Sequence, residues 1–182
     1  RLNKMHISNY FTCYLASKNI SKLKHYSKFD KWEKIDIPVE QNTWGKEAKF
    51  LVNQLKEDYF FLYLDDLYPI KNIDFKSLSK VIKKAIFYKP SLIRLNTKTT
   101  YRKLLKELES NIFKEQKSHK FLTSTVFGIF NKEFFKTIIK KSDNIWNFER
   151  QSNKRYYFDD QLFIFIKSPY IKYINLIVKG KI

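Results

Sequence analysis

The residue pattern predicts an α/β domain, a mixed and mainly parallel sheet with helices on both faces. Apolar runs of strand length alternate with amphipathic stretches of helical period, the order that a parallel sheet with crossover helices requires. Hydrophobic residues make up 43% of the 182 residues and aromatics 18%, enough to fill such a core. No internal repeat or low-complexity block divides the chain, so residues 1–182 read as a single domain.

The elements follow in order. Residues 10–16, "YFTCYLA", read as a strand, and "KIDIPVE" as a short extended piece stopped by Pro38. Trp44, Ala48, Leu51, Val52 and Leu55 then fall on one face of a helix that Thr43 is placed to cap. A strand runs from Tyr59 to Leu64 into two aspartates, Asp65 and Asp66. Phe75, Leu78, Val81, Ile82, Ala85 and Ile86 make a second amphipathic helix with Asp74 as its N-cap. "SLIRL" (91–95) reads as a buried strand, and Leu104, Leu105, Leu108 and Ile112 give 101–113 a helical spacing. "FLTSTVFGIF" (121–130) predicts a strand, and "NKEFFKTIIKK" a helix capped by Asn131. The tail from Tyr156 to Val178 is aromatic and β-branched, hence mainly strand.

Composition narrows the function. The net charge is +18, which calls for an anionic partner: nucleic acid, a phosphate-bearing ligand or an acidic membrane surface. Only Arg1, Arg94, Arg102, Arg150 and Arg155 among the 36 basic residues are arginine, the side chain preferred for bidentate phosphate and base contacts. That excess of lysine, typical also of AT-rich coding, weighs against nucleic acid. Cys13 is the single cysteine, and His6, His25 and His119 share no metal-ligand spacing, which argues against an internal disulfide and a zinc site. Apolar runs fall short of the roughly 18 residues of a membrane helix and no secretory signal opens the chain, so a cytoplasmic location is expected. The chain begins at Arg1 rather than methionine and reads as a fragment.

The acidic pair carries the sharpest signal. Adjacent carboxylates repel and need solvent, cations or a metal to stay ionised. In open α/β sheets ligands gather beyond the carboxyl ends of strands, where Asp65 and Asp66 are expected. Two oxygen donors there suit a hard divalent cation; a polar turn before Pro69 is the competing reading. Arg94, inside an apolar strand, needs a carboxylate such as Asp65 or a bound phosphate. Asp159 and Asp160 form a second pair, more readily a strand-edge turn than a site.

In order, "TWGKEAKFLVNQL", "LDDLYP", "SLIRLN", "TSTVFGIFNKEFF", "NIWNFE" and "INLIVKGK" resemble a small family of GT-A glycosyltransferases found in polysaccharide gene clusters and large-virus genomes. The resemblance spans roughly residue 40 to the C-terminus. It implies that Asp65 and Asp66 are a DXD-type motif holding Mn²⁺ or Mg²⁺ against the diphosphate of a nucleotide sugar. Asp66 would be the direct ligand, with Asp65 nearer the ribose or Arg94. It further implies that Glu149 is the general base of an inverting transfer, with Trp146 and Phe148 stacking on a sugar and raising the carboxylate pKa by desolvation. Lys179 and Lys181, around Gly180, would meet the diphosphate at the end of the last strand. Little before Tyr10 matches the strand and helix that open such domains, which implies N-terminal truncation.

Three function classes compete. The first is a metal-dependent glycosyltransferase with a nucleotide-sugar donor and a glycan or lipid-linked acceptor, in peripheral contact with the cytoplasmic face of an anionic membrane. The second is a basic nucleic-acid-binding or nuclease-like domain, for which recognised motifs and further spaced acids are missing. A non-catalytic remnant of the transferase fold is the third.

Overall fold

The computed structural model describes residues 7–22, 30–62, 67–69, 73–96, 106–115, 117, 122–155, 160–167 and 173–175. Its elements are β1 (Tyr14–Ser17), β2 (Glu33–Asp36), α1 (Trp44–Gln54), β3 (Tyr59–Phe61), β4 (Leu67–Pro69), α2 (Phe75–Phe87) and β5 (Leu92–Asn96). After them come β6 (Lys106–Glu109), β7 (Ile112–Lys114), β8 (Gly128–Asn131), α3 (Lys132–Ile138), α4 (Ile145–Arg155), β9 (Phe163–Lys167) and β10 (Tyr173–Asn175). The class is mixed α/β.

The predicted helix caps are present. Thr43 accepts a hydrogen bond from the Lys46 amide, Asp74 from the Ser77 amide, and Asn131 from the Phe134 amide. Each side-chain oxygen satisfies one of the amides that a first helical turn leaves without a partner. Apolar spacing then decides which face is buried: Ala48 and Val52 on α1; Leu78, Val81, Ile82 and Ala85 on α2.

The expectation of a mainly parallel sheet is corrected. Among the described residues the central sheet has six strands in the order β3-β8-β5-β9-β7-β6, and of their pairings only β5 with β9 is parallel. Alternating strand and helix signals specify which residues face inward, but not the direction in which a strand returns. Here β8 enters between β3 and β5 against both, and a hairpin adds β7 against β9. That hairpin occupies the described part of the stretch predicted as a helix at 101–113. Its two strands meet through Ser110 and Asn111, with Asn111 at φ 66°, a left-handed conformation that asparagine tolerates in turns. Leu108 and Ile112 thus served a strand period, and Ile112 is fully buried. The strand expected over 121–130 shrinks to β8, leaving Leu122 to Phe127 irregular although buried almost throughout.

Helices cover both faces, as predicted. Along β5 the side chains alternate: Ile93 and Leu95 pack under α2, whereas Leu92 joins α1, α3 and α4 on the other face. The pairings also carry a consequence for the site. β3 and β5 both run against β8, and β9 runs with β5, so β3, β5 and β9 all point the same way. Their carboxyl ends gather at one end of the sheet, where the chain also enters β8. Two small ladders lie apart from this sheet, β1 with β2 and β10 with β4. The Tyr14 hydroxyl donates to Glu57 over 2.8 Å, tying the first ladder to the segment that leads into β3.

Candidate functional site

The segment "LTSTVF" (122–127) crosses the end of the sheet without regular backbone bonding, yet Leu122, Thr123, Thr125 and Phe127 are at most 1% exposed. Buried irregular backbone must find other partners for its polar groups. Here α4 supplies them. Glu149 Oε1 accepts from the Ser124 hydroxyl at 2.9 Å, and from the Thr125 amide and hydroxyl at 2.7 Å each. Asn153 Oδ1 accepts from the Thr123 amide at 3.2 Å and hydroxyl at 2.7 Å, and the hydroxyls of Thr123 and Ser152 bond to each other. Glu149, Ser152 and Asn153 are three and four positions apart, so one helical face meets the whole segment. Phe127 takes φ 51°, uncommon for an aromatic residue and a sign that the surroundings over-determine the turn. Gly128 follows because no side chain fits: a Cβ there would stand 2.9 Å from the Ser124 carbonyl oxygen.

α4 is itself held in place. Asn144 accepts from the Asn147 amide at 2.8 Å, and Arg155 donates 2.8 Å bonds to both carboxylate oxygens of Asp143, which is 2% exposed. Phe148 seats the helix against Trp44, Phe130 and Phe135, with ring centroids 5.4, 6.3 and 5.3 Å away.

The residues nominated from the sequence separate clearly. Glu149 and Trp146, three apart on α4, are brought together at the surface: Trp146 is 60% exposed and Glu149 partly so. Phe148 is not with them. It is fully buried in the core, so stacking on a sugar gives way to packing, as its place on the inner side of α4 demands. Arg94 is 5% exposed and its carboxylate partner is Glu115 at 3.3 Å, an acid that the sequence did not nominate. The pair is a component of the interior, not an open diphosphate contact. Asp160 is exposed in a turn before β9, in keeping with the turn reading. Asp65, Asp66, Asp159, Lys179 and Lys181 lie outside the described residues. The strand that precedes Asp65 and Asp66 in the chain is β3, half-buried and at the edge of the sheet among the described strands.

Sequence reasoning missed Thr123, Ser124, Thr125, Ser152 and Asn153. A signal existed: three consecutive hydroxyl residues inside an apolar run invite side-chain bonding that competes with a strand. Among the described residues no group of three or more His, Cys, Asp or Glu is arranged to hold a metal ion. The chain matches no protein-family model and no curated protein at a significant level.

Chemically, Glu149 is a half-committed carboxylate. Oε1 takes all three donors, while Oε2 accepts no hydrogen bond among the described residues. One oxygen fixes the group's position, and among the described residues nothing bonds the other.

Proposed function

We propose that this chain is a metal-dependent glycosyltransferase domain of GT-A-like fold, moving a sugar from a nucleotide-diphosphate sugar to a glycan or lipid-linked acceptor on the cytoplasmic side of a membrane. The observation that carries the reading is Glu149. It is pinned through Oε1 to the segment entering β8, at the end of the sheet where β3, the strand before Asp65 and Asp66 in the chain, has its carboxyl end. A general base must be oriented as well as basic, and a fixed carboxylate with one open oxygen beside an exposed Trp146 meets that need.

In this reading the acceptor sugar lies on the Trp146 ring and its hydroxyl donates to Glu149 Oε2. The proton passes to Oε2 as the hydroxyl oxygen bonds to the anomeric carbon and the nucleoside diphosphate leaves. Asp66 and Asp65 are oxygen donors suited to Mn²⁺ or Mg²⁺, which when bound would offset the charge of the departing diphosphate. Lys179 and Lys181 would add to that compensation.

The competing reading is a structural fastener, in which Glu149 only ties the 123–125 segment down. Glu149→Gln separates the two, because the amide oxygen can still accept the same three donors. If Glu149 is the base, transfer should fall by roughly two to four orders of magnitude while melting temperature and Mn²⁺-dependent stabilisation by the nucleotide-sugar donor persist. Trp146→Ala should chiefly raise the acceptor KM. Transfer within a few-fold of the unsubstituted protein in Glu149→Gln would remove Glu149 from the chemistry.

A further inference from the structure

The outer surface of α2 is not accounted for by the Glu149 site, which lies on the opposite face of the sheet. Its sequence, FKSLSKVIKKAIF, holds no acidic residue. The apolar side is fully used, since Phe75, Leu78, Val81, Ile82 and Ala85 are buried against the sheet. Outward, Lys76, Lys80, Lys83 and Lys84 are exposed in successive turns, and Lys89 continues the row just past the helix end. Lys84 is paired with Glu109. At the end of this row stands Phe87, 84% exposed, the most exposed of the large apolar side chains described. Its ring touches Tyr88 edge to face, centroids 6.1 Å apart, and otherwise stands in water at the tip of a basic helix face.

We infer that this face docks on an anionic lipid bilayer, the lysines lying over the headgroups and Phe87 entering the interfacial layer. Three features favour a bilayer over another anionic partner. Among the described residues every exposed cation on this face is lysine, which acts as a point charge rather than the planar arginine preferred for reading phosphates and bases bidentately. Four to eight clustered cations are what anionic leaflets recognise, each contributing independently of headgroup geometry. An exposed Phe beside such a cluster gains by entering the interface and gains nothing from a phosphate backbone. The inference does not depend on the activity of the Glu149 site; it would place a transferase next to a lipid-linked acceptor, yet it stands or falls on binding alone.

The test is co-sedimentation of the protein with vesicles of phosphatidylcholine alone and of phosphatidylcholine with phosphatidylserine. Binding is expected only to the second kind, and it should weaken as salt is raised. The variant K76Q/K80Q/K83Q should lower the partition coefficient about fivefold per lysine, about a hundredfold in all. Phe87→Ala should lower it roughly fivefold to tenfold, the worth of part of a Phe side chain leaving water. A control with the same loss of charge on the other face, K140Q/K141Q/K154Q, should stay within a few-fold of the unsubstituted protein. All these positions are exposed, and unchanged circular dichroism and melting confirm that each variant is folded. Equal losses in the two triple variants would reduce the effect to net charge and overturn the inference. So would equal binding to both kinds of vesicle. Binding of a duplex oligonucleotide that depends on the α2 lysines, with no vesicle binding, would overturn it in favour of nucleic acid.

Discussion

Under α2 the sheet is covered mainly by aliphatic side chains: Ile93, Leu95, Ile112, Ile129, Ile164 and Ile166 meet Leu78, Val81 and Ile82. On the opposite face Phe130, Phe134, Phe135, Phe148 and Phe163 interlock beneath α1, α3 and α4, with ring centroids of neighbouring pairs 5.0–6.3 Å apart. The aliphatic face needs one helix, and its outer side is a plain row of lysines. The aromatic face needs three, and it also carries the buried hydroxyl segment, the Asp143–Arg155 pair and Glu149. Large rings in edge-to-face contact fix the position and rotation of a helix more tightly than branched aliphatics do. The face that must hold a carboxylate in place is therefore the face built from phenylalanine.

Three comparisons test that contrast. Phe148→Ala should cost about 3–5 kcal/mol in urea unfolding, against about 1 kcal/mol for Ile82→Val under α2. If Phe148→Ala costs no more than Ile82→Val, the aromatic face is not the tighter one. Of similar size is the effect at the buried ion pair. Arg94→Met alone removes a cation bonded to the buried Glu115 and should cost about 3–5 kcal/mol, whereas R94M/E115L, which removes both charges, should cost less. A double variant as unstable as the single one would mean that the pair is required for more than mutual neutralisation. A smaller effect than at Phe148 or Arg94 is expected at Gly128→Ala. The added methyl must lift the Ser124 carbonyl or displace Phe130, at about 1–3 kcal/mol. Because the same segment carries the donors to Glu149, this variant should weaken transfer more than its stability loss explains. Equal transfer per folded molecule would show that the segment does not position the carboxylate.

Much of this was written locally in the chain. Thr43, Asp74 and Asn131 mark three helix starts because a cap needs only a short polar side chain three residues before an amide. The buried faces of α1 and α2 follow from apolar spacing, and Glu149 stood out as an acid next to two aromatics. Other features depend on what a residue meets from elsewhere in the chain. Strand direction is one: nothing in "FGIFN" states that β8 will run against both its neighbours. The Ser110–Asn111 turn is legible in residue type but is outweighed by a helical spacing that Leu108 and Ile112, which lie in the two strands of the hairpin, meet by coincidence. Glu115 sits in a polar stretch, and only the arrival of β9 and Arg94 buries it. Trp146 and Phe148 are alike by composition and two positions apart, yet one is 60% exposed and the other not at all. Short-range pattern along the chain is enough to specify the caps, the helix faces and the presence of an acid worth testing. The tertiary structure decided strand polarity, the partner of Arg94 and the three donors on Glu149, because each requires groups distant in the chain to be brought within hydrogen-bonding range.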